Sequence, residues 1–232
     1  MVKSDILSAP KVNHLYWLGR YEDRVYMTLH MMHKCYDKMI DGHPDDYMDL
    51  WHKLDVTGMY ATNEEFTLGM LYDEDNPTSL ISTQRYAMDN AILLREDILS
   101  ETLSYLEMSM ALLRRCKAEG QVNLVFLQSV TDWALAFWGS AEQRTQNYRA
   151  LTIMMLGRNV ENLDMLIRFG YSYRRVMLAY ETLKRYMAEM PEMIDRNIEG
   201  QLDVLIADDL FDLNNQEYKY KLIKFINQLV RA

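Results

Sequence analysis

Leu18-Gly19-Arg20-Tyr21-Glu22-Asp23-Arg24 has a second copy far down the chain, Leu156-Gly157-Arg158-Asn159-Val160-Glu161-Asn162. In each, Leu-Gly-Arg is followed by a carboxylate three residues after the arginine. Arg20 matches Arg158, and Asp23 matches Glu161. The apolar frame repeats as well: Leu15 with Ile153, Leu18 with Leu156, Val25 with Leu163, Leu29 with Ile167. These spacings belong to a helix, on which residues three and four apart share a face. The duplication predicts two equivalent helices meeting at one polar place.

The rest of the chain reads as helix too. Ser8-Ala9-Pro10 has the form of a helix start, and Leu15, Leu18, Val25, Leu29, Met32 and Tyr36 carry the period onward. That helix is expected to run to about Ile40 and stop at Asp41-Gly42-His43-Pro44. Short helices are expected from Pro44 to Leu54, with Gly58 as a break, and from Asn63 to Tyr72. Pro77 is expected to open another, capped by Asn76. Ser100 is read as the cap of a helix from Glu101 to about Ala118, ended by Gly120. Val122 to Trp138 reads as a buried helix, with Gly139-Ser140 as the next break. Ser140 and Gln143 then have capping-box form, predicting a long helix from Ala141 to Phe169 that carries the second motif. Tyr173 to Glu189, two shorter pieces before Ile206, and Glu217 to Val230 complete the pattern. No alternating β-branched run or Asn-Gly turn predicts a strand. The expectation is an all-α, single-domain bundle over residues 1–232, of about nine or ten helices, two of them long and motif-bearing.

Composition bounds the function. The 232 residues are 49% hydrophobic and 25% charged, with a net charge of −9. Such an acidic balance, with no dense basic stripe, argues against nucleic-acid binding. No apolar run approaches the length of a membrane span, and the N-terminus lacks a signal-peptide core. Cys35 and Cys116 have no CxxC setting and read as reduced, packed thiols; a cytoplasmic protein is expected.

Glycine inside a helix costs about 1 kcal/mol against alanine, so Gly19 and Gly157 need a compensating reason. Close approach of another backbone supplies one. The two long helices are expected to cross at these glycines. Arg20 would reach Glu161, and Arg158 would reach Asp23, each guanidinium fork taking both oxygens of a carboxylate. Local pairing at i,i+3 on the surface is the alternative.

Three segments, Leu15-Tyr16-Trp17-Leu18-Gly19-Arg20-Tyr21, Asn76-Pro77-Thr78-Ser79-Leu80 and Leu156-Gly157-Arg158, together resemble the bacterial alpha-E family, an all-helical family of unassigned activity. The resemblance covers nearly the whole chain in order. Carried over, it places the family's motif acids at Asp23, Glu161 and Asp164, and its middle segment at Asp89-Asn90-Ala91, Arg95-Glu96 and Ser100-Glu101. The polar centre it implies comprises Arg20, Asp23, Arg24, Asp89, Asn90, Arg95, Glu101, Arg158, Glu161 and Asp164. The chain departs from the pattern at Asp23 and Asp89, where glutamate is usual, at Met88 and Ile92, where arginine is usual, and at Tyr26, an acidic position in the family. Members of that family are encoded beside or fused to ATP-grasp-type ligases and transglutaminase-like proteins. The resemblance therefore implies an accessory or scaffold role in peptide synthesis or modification, with a ligase-like protein or a peptide as partner.

The alternative is an enzyme using Asp23, Glu161 or Asp164 as acid or base, or with a metal, on a peptide-like substrate. A working group of that kind needs a shifted pKa in a cleft. No residue has a nucleophile motif, and no glycine-rich loop can cradle a nucleotide. His30, His33 and Asp37 share a helical face, but no second ligand pair supports them, and they read as packed or surface residues. His14, His43 and His52 have no motif setting. Neither a cofactor nor a metal is expected, and the non-enzymatic reading is favoured. The sixteen tyrosines and four tryptophans read mainly as core.

Overall fold

A computed structural model of the chain describes residues 7–40, 46–54, 60, 62–120, 124–207 and 209–232. Among these the protein is all-α. Ten α-helices follow one another: α1 (Ala9–Ile40), α2 (Asp46–Lys53), α3 (Asn63–Tyr72), α4 (Leu80–Leu93), α5 (Arg95–Glu119), α6 (Leu124–Arg144), α7 (Tyr148–Arg168), α8 (Tyr173–Glu189), α9 (Arg196–Leu205) and α10 (Gln216–Gln228). A 3₁₀ turn, Pro191–Met193, follows α8, and the sole β feature described is an isolated bridge between Ile194 and Val230. The expected stop at 41–44 and the break at Gly58 lie outside the described residues.

The chain divides into two compact units. Unit 1 comprises residues 1–20 and 147–232; unit 2 comprises residues 21–146. Helix α1 contributes to both. The expected single domain over 1–232 stays an expectation.

In unit 1, the start of α1 is fixed by Ser8, whose Oγ accepts from the Lys11 N–H at 3.4 Å. Helix α7 begins at a different cap from the expected one. Asn147 Oδ1 accepts from the Ala150 N–H at 3.1 Å, and α6 of unit 2 continues through Gly139-Ser140 to Arg144. The Gly139-Ser140 break is thus overturned. Nothing crowds Gly139, and the Ser140 hydroxyl hydrogen-bonds Thr102 at 2.8 Å, so it is spent on packing α6 against α5 and not on a cap. Helix α7 ends as expected at Gly170, whose φ of +69° suits glycine, and Tyr171 N–H returns to Leu166 O at 3.0 Å. Lys219 on α10 donates to Arg168 O at 2.8 Å, a cation at the negative end of α7. The C-terminus is tied down by Asp195 N–H to Leu229 O and Arg231 N–H to Met193 O, at 2.9 and 2.8 Å.

In unit 2, Asn76 is not the cap of α4. Its Oδ1 accepts from both the N–H and the Oγ1–H of Thr78, at 2.9 and 2.7 Å, which closes a turn holding Pro77 outside the helix. Ser79 caps α4 instead, accepting from Ser82 N–H at 3.2 Å. Asn76 Nδ2 also donates to Tyr60 Oη at 2.9 Å. This segment of the resemblance therefore does local structural work. Helix α5 joins two helices across a kink at Leu99, which sits at φ 66°, ψ 157°: a short one from Arg95 and, beyond the kink, the expected helix that sets out where Ser100 was read as its start.

The duplicated apolar frame is core throughout. Leu15, Leu18, Val25, Leu29, Ile153, Leu156, Leu163 and Ile167 are all fully buried. Tyr16, Phe137 and Trp138 are buried as the core reading expected.

Candidate functional site

The glycines of the two motifs explain the crossing in unit 1. A Cβ added to Gly19 would overlap Met154 O and lie 3.0 Å from Arg158 N. One added to Gly157 would overlap Tyr16 O and lie 3.3 Å from Arg20 N. Met154 stands in the second copy where Tyr16 stands in the first, so the contact is its own mirror under exchange of the copies. Residue 16 meets 157 and residue 19 meets 154, so α1 and α7 run in opposite senses through it. Only hydrogen fits between the backbones at either glycine.

This approach drops Arg20 onto the face of α7 bearing Glu161. Arg20 is 2% exposed and Glu161 fully buried. Arg20 Nε donates to Glu161 Oε2 at 2.7 Å, and Nη2 lies 2.6 Å from the same oxygen. The fork thus converges on one oxygen, where the sequence led to the expectation that it would span both. Arg20 Nη2 is also 3.9 Å from Asp164 Oδ2. Asp164, fully buried, accepts from Arg168 Nε at 3.3 and 3.1 Å through its two oxygens. Trp17 covers the guanidinium, its ring centroid 5.3 Å from Arg20 Cζ. Two carboxylates and two guanidiniums thus neutralise one another under an aromatic lid.

The electrostatics follow. Burial alone would lower the Arg20 pKa, but the charges of Glu161 and Asp164 and the hydrogen bond to Glu161 outweigh it and hold the guanidinium more firmly protonated than usual. Burial raises the Tyr16 pKa, with Arg20 pulling the other way, so Tyr16 stays a neutral phenol beside the centre.

The remaining expected site residues are placed as follows. Asp23 is buried and Arg24 half-buried on α1, in unit 2; Arg158 is half-buried on α7, in unit 1. The Arg158–Asp23 pairing stays an expectation. Asp89, Arg95 and Glu101 are exposed in unit 2, and Asn90 is half-buried, its Nδ2 donating to Tyr86 O of its own helix at 2.7 Å. Arg144 Nη1 lies 3.7 Å from Glu101 Oε1. The charged residues of the middle segment therefore face solvent, unlike Glu161 and Asp164, while its Ala91 is fully buried. His30 stacks on Tyr26 at 6.1 Å, and no group of three His, Cys, Asp or Glu among the described residues stands close enough to hold a metal. No described helix is long and apolar enough to cross a membrane.

Sequence reasoning passed over Glu22 and Arg168. Glu22 is 1% exposed in unit 2 beside Gln84, itself fully buried. Neither Glu22 oxygen reaches a hydrogen-bond partner at bonding distance, and no cation among the described residues faces it. Burial, with the Asp23 charge added, raises its pKa to about 8. The repeat itself held the signal: 22 corresponds to 160, and Val160 is fully buried. A glutamate aligned with a core valine is a buried glutamate.

A family model described as a predicted alpha-helical domain with a conserved ER motif matches residues 9–195. No glutamate in the chain is followed directly by arginine; the first motif has Asp23-Arg24 and the second Glu161-Asn162 at the corresponding place. No curated protein and no solved structure matches the chain. With the match extending over most of its length, from α1 to the cap of α9, the chain belongs to the Alpha-E family.

Proposed function

We propose that this protein is a helical accessory or scaffold protein that acts with an ATP-grasp-type amide ligase or a transglutaminase-like protein in the synthesis or modification of peptides. One observation carries the non-enzymatic half. Glu161 and Asp164, two of the three acids a catalytic reading would use, have no exposed surface and are engaged by Arg20 and Arg168, and the third, Asp23, is buried. A general acid or base must reach a substrate atom. An ion-paired carboxylate under Trp17 has no such access, whereas as a fixed strut it holds two helices in register. The partner class rests on the chain's resemblance to a family whose members accompany such enzymes. The protein's place is the cytoplasm, where an ATP-grasp-type ligase draws on ATP.

Affinity purification of the tagged full chain from its native cell, with mass spectrometry and elemental analysis, tests the reading. Co-purification of an amide-forming enzyme supports it. Isolation alone with a stoichiometric metal overturns it in favour of metal-assisted chemistry.

A further inference from the structure

Unit 1 carries a cleft of about 470 Å³ between α8 and the end of α9, lined by Met177, Tyr180, Glu181, Lys184, Asp203, Ile206 and Ala207. Three of these seven residues, Asp203, Ile206 and Ala207, lie beyond residue 195, outside the stretch matched by the family. Three of its polar groups pair with one another. Asp203 Oδ1 accepts from the buried Tyr180 hydroxyl at 3.0 Å and from Lys184 Nζ at 2.7 Å. Lys184 also sits over the Tyr180 ring, 5.4 Å from its centroid. The lysine and aspartate charges cancel. Glu181 has no ion pair among the described residues, and Asp203 Oδ2 accepts no hydrogen bond there.

The cleft thus holds one net negative charge and two free acceptor groups. The C-terminal end of α9 adds the negative pole of a helix at Ile206 and Ala207. Met177 and Ala207, both half-buried, supply an apolar surface alongside, over the buried Tyr180 ring and Ile206. An anion would meet Glu181 and a lysine already neutralised. A hydrated metal ion would waste the apolar wall. An ammonium on a flexible aliphatic stem matches all three features: the head takes Glu181 and Asp203 Oδ2, and the methylenes lie on the apolar residues. The volume falls within the ordinary range for ligand sites and admits a lysyl side chain with adjoining backbone.

We infer that this cleft binds a primary alkylammonium group, carried either by a lysine side chain of a peptide or by a free aliphatic amine. The inference stands independently of the proposed partner enzyme.

Calorimetric titration of the full chain with Nα-acetyl-lysine methylamide, its Nε-acetylated counterpart and n-butylamine tests it. Saturable binding of the charged lysine probe, weakened about three- to tenfold by Glu181→Gln and lost on ε-acetylation, is the expected result. Butylamine binding as tightly as the lysine probe identifies free amines as the source; preference for the lysine probe identifies peptide. Raising salt weakens binding in either case and needs no variant. Absence of saturable binding by both amines, equal affinity for the acetylated probe, or an affinity unmoved by Glu181→Gln overturns the assignment.

Discussion

Glu161 and Glu22 are buried glutamates from the two copies of one motif, and their fates are opposite. Glu161 lies 2.6 Å from the Arg20 guanidinium and has a second acid and a second arginine nearby. Glu22, one residue before the aligned position, is buried with Gln84 and the Asp23 charge for company. The first has its charge matched and stays useful as an anion. The second lowers its cost by holding a proton. Burial alone therefore does not say what a carboxylate does; the neighbours decide.

The largest effect follows from breaking the matched side. Glu161→Gln leaves the Arg20 guanidinium buried without its principal counter-charge, and removing one partner of a buried pair costs about 3–5 kcal/mol. Denaturant unfolding at pH 7 measures it. A loss below about 0.5 kcal/mol, the scale of a surface substitution, would show that the pair is dispensable to the α1–α7 crossing.

The unmatched side should respond with the opposite sign. Glu22 has a pKa of 4.5 when unfolded and about 8 when folded. Between those values the folded state holds a proton the unfolded state has released, so stability falls as pH rises through that window, with a limiting slope of about 1.4 kcal/mol per pH unit from this group. Below pH 4.5 both states are protonated and the group is neutral in effect; above about 8 the full penalty is present. Glu22→Val installs the residue of the second copy. It is expected to stabilise unit 2 by a few kcal/mol at pH 8.5 and by much less at pH 5, flattening the profile. A parallel profile in wild type and variant would refute the assignment.

This contrast also shows how much could be read before the structure. The helical class, the crossing glycines and the Arg20–Glu161 contact were legible because duplication turns one ambiguous motif into two that must satisfy each other. Gly19 and Gly157 are otherwise unfavourable in helices, and only a shared backbone contact explains both. The helix ends were less legible. Gly139-Ser140 has the composition of a break, yet Ser140 found a partner in Thr102, a residue 38 positions away that no local pattern identifies. Asn76 likewise has the chemistry of a cap but uses it on Thr78, leaving Ser79 to begin α4. Asp89, Arg95 and Glu101 were grouped with the buried acids by resemblance alone. Their exposure in unit 2 shows that a shared family pattern does not sort residues by burial.

The smallest effects separate spacing from surroundings. Asp164–Arg168 and Arg115–Glu119 are both i,i+4 pairs, at 3.1 and 2.9 Å. Helix geometry treats them alike. Their exposure does not: Asp164 is fully buried, while the Arg115 and Glu119 side chains are 70% and 38% exposed. Water already solvates Arg115 and Glu119 in either state, and side-chain entropy opposes holding them together. Asp164 has no water to fall back on. Arg168→Ala removes the hydrogen bonds that Arg168 Nε gives both Asp164 oxygens, and a loss of about 1–3 kcal/mol is expected. Arg115→Ala is expected to leave the melting temperature where it was. Thermal unfolding of the two variants side by side decides the matter: equal shifts would mean that the i,i+4 contact itself carries the energy, and that the ion cluster on α7 is no more than a surface pair covered over.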